Sequence, residues 1–368
     1  MKTAQSRKRW HDTRSALTPK LPNQPDIHHP NAPPWTSQPN MNTTAIQITI
    51  TNMADDHTPN TTIYQDAHLT VDLTLRPTTP GHAVATLTTN QTNLFNLPLP
   101  SFVETLQTLR TIASHLRTAY NVQRCALITT GGTSLSLLPL HGLTPQWSPV
   151  MHPTQEFHPQ YPGYITSKDA PQLPTPQLNT IRSSILFAAS QSPTTYHADP
   201  TFHGPDPGDA NLFARLVRGE LSPQWRVWED ARHVAFLTPY PNTPGFTVVV
   251  PRAHLPSDLF ALAPAEYAAL VEAAHTVARL LIRAFGIERC GMIFEGFEID
   301  YAHVKLVPIR GGGGDDYDEA DFDRYGISEP FQETYQGYVS SLPGPRVADV
   351  EEVVRRAAEM RALVGSDS

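Results

Sequence analysis

The chain has 368 residues, enough for two domains of ordinary size with a substantial core. A formal net charge of -8 argues against a generic nucleic-acid binder. Two cysteines are too few for a disulfide framework, no apolar run reaches membrane-spanning length, and the first residues carry no hydrophobic signal core; a cytoplasmic or nuclear setting is the expectation.

Residues 1–44 begin with Lys2, Arg7, Lys8 and Arg9 and continue into a Pro/Asn/His-rich run without periodicity, which predicts a disordered, solvated tail. Alternation then sets in at Ile46, Ile48 and Ile50, and again at Leu69, Val71, Leu73 and Leu75, as antiparallel strands require. Phe102, Leu106, Leu109, Ala113, Leu116 and Tyr120 recur at helical spacing and predict a helix over 101–120. A second helix of the same design is expected over 264–285, with Pro264 in the first turn, where proline is tolerated. Four glycines at 311–314 and the acidic run after them read as a flexible connector, because the oxygen spacing fits no EF-hand loop. An amphipathic helix over 347–364 closes the chain.

The two halves repeat each other. Ile63-Tyr64-Gln65-Asp66 corresponds to Val227-Trp228-Glu229-Asp230, Pro80-Gly81-His82 to Pro244-Gly245-Phe246, Arg124-Cys125 to Arg289-Cys290, and Leu137-Leu138-Pro139-Leu140 to Leu306-Val307-Pro308-Ile309. The word Tyr161-Pro162-Gly163-Tyr164-Ile165-Thr166-Ser167 returns as Tyr335-Gln336-Gly337-Tyr338-Val339-Ser340-Ser341. Five matches in one order point to an internal duplication; the bland alternative is two unrelated antiparallel domains with shared turn chemistry. The matched cysteines read as buried structural thiols.

Chemistry concentrates in Ile299–Pro308. Tyr301, His303 and Lys305 alternate with Ala302, Val304 and Leu306, the period of a half-buried strand with a phenol, an imidazole and an ammonium along one face. A neutral imidazole beside a cation suits attack on phosphorus. In the first copy Gly132, Ser134 and Ser136 stand at the matching places, so that half keeps the scaffold without the nucleophile. The sixteen histidines show no ligand spacing that would predict a zinc site.

With Leu212–Glu220, Val227–Asp230, Ala235–Pro241 and Pro244–His254 placed ahead of the Tyr-x-His-x-Lys strand, the second half resembles the histidine-triad (HIT) superfamily of nucleotide hydrolases and transferases. The resemblance covers about residues 211–310 and, more weakly, the first copy. It implies an α+β fold of two tandem HIT-like antiparallel sheet units forming an intramolecular pseudo-dimer. The expected boundaries are a degenerate unit at 45–205, an armed unit at 206–310, an acidic loop at 311–326 and an extension at 327–368. The resemblance makes His303 the nucleophile that forms a nucleotidyl-imidazole at an α-phosphate. It makes Leu212, Phe213, Leu216 and Phe236 the base slot, and Glu295-Gly296 the turn approaching the phosphates. Tyr301 replaces the first histidine of the usual motif and Lys305 the third, while Thr238 replaces the acidic residue that grips the ribose. The implied ligand is a nucleotide or nucleotide conjugate, a dinucleoside polyphosphate being one candidate, with magnesium arriving on the substrate and no tightly bound cofactor. No membrane or nucleic-acid partner is expected, and a monomer acting as a pseudo-dimer is. A catalytically weakened nucleotide-binding protein and a purely structural, partner-binding protein remain alternatives.

Overall fold

A computed structural model describes residues 59–88, 93–311, 324 and 326–365, all within the compact unit Asp56–Ser368. The basic tail, the strand expected at 46–50 and most of the acidic connector lie outside the described residues. Ten antiparallel strands form one sheet in the order β1-β2-β3-β5-β4-β9-β10-β8-β7-β6. In chain order they are β1 (Thr62–Gln65), β2 (Leu69–Leu73), β3 (Ala83–Leu87), β4 (Arg124–Thr129) and β5 (Ser134–Leu140). The second copy supplies β6 (Arg226–Glu229), β7 (His233–Leu237), β8 (Thr247–Pro251), β9 (Cys290–Phe294) and β10 (Val304–Pro308).

That order is the same five-strand pattern written outward from a common centre. At the centre β4 pairs with β9, and Ile128 faces Ile293. Each of these isoleucines stands three places after the cysteine of its Arg-Cys pair, so equivalent residues of the two copies meet at a local twofold. The sheet edges obey the same symmetry: β1 and β6 each carry a register shift, between Thr62 and Tyr64 and between Arg226 and Trp228. Such bulges twist a short edge away from further strand addition. The duplication read from the sequence is thus an α+β pseudo-dimer within one chain.

One face of the sheet is covered by α1 (Leu99–Tyr120) and α4 (Pro264–Phe285), each of 22 residues. Their apolar stripes carry Phe102, Leu106, Leu109 and Leu116 on one and Tyr267, Leu270, Val277 and Leu281 on the other, all buried in one core. Each ends in a left-handed residue, Asn121 or Gly286, whose N–H returns to a carbonyl of the last turn. Tyr267 ties the pair by donating to the Leu106 carbonyl at 2.9 Å. Three further helices among the described residues are α2 (Thr175–Ala188), α3 (Leu212–Val217) and α5 (Val350–Gly365). α2 was not among the expected elements, and α5 starts at Val350 because Asp349 accepts from the Glu352 N–H and caps it.

The opposite face is not left to solvent. The two Tyr-x-Gly-Tyr words run across it and meet at Thr166 and Ser340, which form an isolated antiparallel bridge. Each is the sixth residue of its word. Ser167 N–H donates to the Val339 carbonyl and Ser341 N–H to the Ile165 carbonyl, both at 2.9 Å. A second apolar core lies beneath this strap and includes Ile128, Leu138, Phe236, Ile293 and Val307.

Candidate active site

The strap changes the meaning of the alternating segment. Residues 301–309 are buried throughout, so the polar side chains of this strand are covered rather than half-exposed. β10 also begins only at Val304. Tyr301 and His303 precede it on a bend fixed by the Ala302 N–H, which donates to the Leu255 carbonyl at 2.8 Å. The expectation of one strand face carrying all three groups is corrected on both counts.

His303 is 2% exposed. Its Nδ1 lies 2.7 Å from the Tyr301 carbonyl oxygen. A carbonyl only accepts, so Nδ1 carries the hydrogen and Nε2 keeps its lone pair. Burial, and then the positive charge of Lys305, lower the pKa of the ring to about 4. The imidazole is therefore neutral near pH 7.

Tyr301 is fully buried and its hydroxyl donates to the Pro251 carbonyl at 2.8 Å. Burial pushes the phenol pKa up, so the group is a fixed donor to the backbone. Its ring stacks on His254, with centroids 4.6 Å apart and planes 15° apart. His254 is held in turn between Asp209 Oδ2 at 2.5 Å and the Asp300 carbonyl at 2.7 Å. This pair carries no sequence signal of its own, although His254 ends the Pro244–His254 segment. Its carboxylate partner lies far off in the chain and carries no motif.

Lys305 is not a free cation. Its Nζ lies 2.9 Å from Glu295 Oε2 and 3.8 Å from Glu298 Oε2. Burial opposes its charge, but these two carboxylates prevail and hold its pKa above the ordinary lysine value. Glu295 Oε1 accepts from Ser167 Oγ at 2.9 Å and Tyr335 Oη at 2.5 Å, one donor from each strap. The cavity beside this cluster measures about 20 Å³ and is shared by Lys305, Glu295, Glu298, Lys168, Asp169 and His152. That is room for about one water. Gly296, in the left-handed region at φ +83, passes so close to Ser257 that a Cβ would lie 2.4 Å from its carbonyl oxygen. Its own carbonyl accepts from Trp147 Nε1 at 2.9 Å. Glu295 thus faces the strap, while Gly296 packs against Ser257 and Trp147.

Of the residues expected in the base slot, Phe213 and Phe236 are buried and touch edge to face, with centroids 5.4 Å apart. Phe213 also meets the rings of Tyr301 at 5.8 Å and His303 at 5.4 Å. Leu216 is half-buried against the same core. Leu212, by contrast, is 45% exposed. Thr238 is half-buried, and its hydroxyl accepts from the Tyr240 N–H at 3.2 Å. In the first copy Ser134 is exposed and Ser136 half-buried on β5, and neither can replace the ring. Cys125 and Cys290 are buried free thiols, and burial pushes the pKa of Cys125 up to about 12. Among the described residues no group of three or more His, Cys, Asp or Glu could hold a metal ion, and no helix is long and apolar enough to cross a membrane.

No family model matches the chain. Among solved structures it is similar to a uridylyltransferase, at 13% identity over 82% of this chain and 86% of that one, with a TM-score of 0.39. An ADP-glucose phosphorylase from Arabidopsis thaliana matches at 11% identity over 80% and 82% of the two chains, with a TM-score of 0.39. A HIT family protein from Bacillus anthracis matches at 22% identity over 32% of this chain and 93% of its own, with a TM-score of 0.26.

Proposed function

We propose that this chain is a nucleotide-handling protein of histidine-triad type, a hydrolase or nucleotidyltransferase working at the α-phosphate of a nucleoside phosphate through His303. The observation that carries this reading is the contact that sets the tautomer of that ring: Nδ1 lies 2.7 Å from the Tyr301 carbonyl oxygen, and Nε2 has no partner among the described residues. The Nε2 lone pair would form the P–N bond as the bond to the leaving phosphate or phosphoester oxygen breaks. The positive charge created on the ring is stabilised through Nδ1–H and the carbonyl. Water or another acceptor then attacks the same phosphorus and returns the ring to its neutral form. Phe213, Leu216 and Phe236 would wall the base, and magnesium would arrive on the polyphosphate. Tyr301, held to Pro251, positions the bend rather than shuttling protons.

A second reading is favoured by the neutralised Lys305. With Glu295 and Glu298 opposite it, the position offers a phosphate no net positive charge, as a catalytically weakened nucleotide-binding protein or scaffold would. Single-turnover incubation with α-labelled ATP and with a labelled dinucleoside tetraphosphate separates the two. Acid-labile label on the wild type and none on His303→Ala supports the enzyme. Saturable binding without label supports the second reading, and no binding of either nucleotide removes both.

A further inference from the structure

On the helical side of the sheet, away from His303, a cavity of about 360 Å³ opens between the C-terminal end of α2, β6 and α4. Its size lies within the range of small-molecule sites. Trp228 and Tyr196 supply aromatic wall, and Val227 and Leu280 aliphatic wall.

Three of its polar groups, on Tyr196, Trp228 and Arg283, are donors without acceptors among the described residues. The Tyr196 hydroxyl is buried and makes no hydrogen bond of good geometry, although the Glu229 carboxylate lies close to it. Burial foremost, and the nearby Glu229 carboxylate after it, raise its pKa, so it remains a donor. Glu229 is already occupied: Oε1 accepts from the Asp199 N–H, and Oε2 from Arg226 and Arg252, all at 3.1 Å. Arg283 reaches the same cavity from the last turn of α4. It has no ion pair or hydrogen bond among the described residues, and the indole N–H of Trp228 likewise has none. A buried orphan hydroxyl is costly unless something accepts from it.

We propose that this cavity is a binding site for a small organic anion: a planar apolar ring on Trp228 and Tyr196, bearing a carboxylate or phosphate bonded by Arg283 and the Tyr196 hydroxyl. The site is separate from the His303 chemistry and does not depend on it.

Calorimetric titration with 2-naphthoate, its neutral isostere 2-naphthamide and phenyl phosphate tests this. A ligand of this size should bind the wild type with a dissociation constant on the order of 1 mM or tighter. 2-Naphthoate should bind at least about tenfold more tightly than the amide, as a charge-assisted contact implies. Phenyl phosphate binding tighter or weaker than the carboxylate decides which anionic head the site takes. Arg283→Gln should weaken 2-naphthoate at least about tenfold, and Thr276→Trp should abolish binding by filling the space. Both positions are exposed, so neither change disturbs the core, and an unchanged melting temperature verifies this. Equal affinity for acid and amide, no effect of Arg283→Gln, or no wild-type binding at 10 mM, on the order of ten times the expected constant, overturns the proposal.

Discussion

Lys305 and Glu295 form an ion pair of 2.9 Å with both side chains almost wholly removed from water, at 7% and 4% exposure. Removing one partner strands the other charge in a low-dielectric interior. Lys305→Met or Glu295→Gln alone should destabilise the fold by about 3–5 kcal/mol, and the double change by markedly less than the sum. Urea denaturation of the three variants measures this. A loss below about 1 kcal/mol in both single variants would show that the pair is not buried as described.

His303 makes stability depend on pH. Its pKa is lowered from an ordinary 6.5 to about 4 in the folded chain, so between these values the unfolded chain binds more protons. The stabilisation is complete above about pH 6.5 and is lost as pH falls toward about 4; one group shifted this far accounts for on the order of 3 kcal/mol. His82, lowered by burial to about 3, adds a loss of the same sign. His303→Gln can keep a donor to the Tyr301 carbonyl but does not titrate. Its unfolding free energy should fall less steeply between pH 6.5 and 4 than the wild type's, and parallel curves would refute the assignment.

Much of the fold was legible in the sequence because it is written in periods. The stripes beginning at Phe102 and Tyr267, with Pro264 in the first turn of the second, fix two helices from local chemistry alone. The repeated Arg-Cys and Tyr-x-Gly-Tyr words mark the duplication. The cover over the candidate site was not legible. Tyr301, His303 and Lys305 alternate with apolar residues whether their face meets water or a strap, since periodicity reports polarity and not what lies above it. The covering segments have no period of their own, and Ser167, Tyr335 and Glu295 come together from positions far apart in the chain. α2 was missed for a related reason: only Leu178, Ile185 and Leu186 of its residues are buried, too narrow a stripe to stand out.

Gly296 should resist substitution more than any exposed turn glycine. Its φ of +83 disfavours a side chain, and a Cβ would lie 2.4 Å from the Ser257 carbonyl oxygen. Strain and clash together should cost Gly296→Ala about 2 kcal/mol or more. Gly286→Ala, equally left-handed but with nothing near the added carbon, should cost about 1 kcal/mol. Comparing the melting temperatures of the two variants separates the steric part from the backbone part; equal shifts would mean that Ser257 yields freely.

The strap should govern access to His303. Ser167 and Tyr335 hold it to Glu295 from two sides, Glu295 pairs with Lys305 two residues beyond His303, and the imidazole is only 2% exposed. Diethyl pyrocarbonate reacts with neutral imidazole nitrogen, which Nε2 presents, so the limiting factor should be cover rather than protonation. In the wild type His303 should be modified far more slowly than an exposed ring such as His197, followed peptide by peptide in a mass spectrometer. Ser167→Ala with Tyr335→Phe removes both donors while sparing the Lys305–Glu295 pair, and His303 alone should react at least about tenfold faster if each lost bond to the carboxylate is worth the usual 1.5–3 kcal/mol. If His303 reacts at the rate of His197 before any change, the strap does not stay closed in solution. If the double variant leaves the protection intact, the cover is held by its apolar contacts, Phe297 against Tyr335 at 5.2 Å foremost among them, and not by the two hydroxyls.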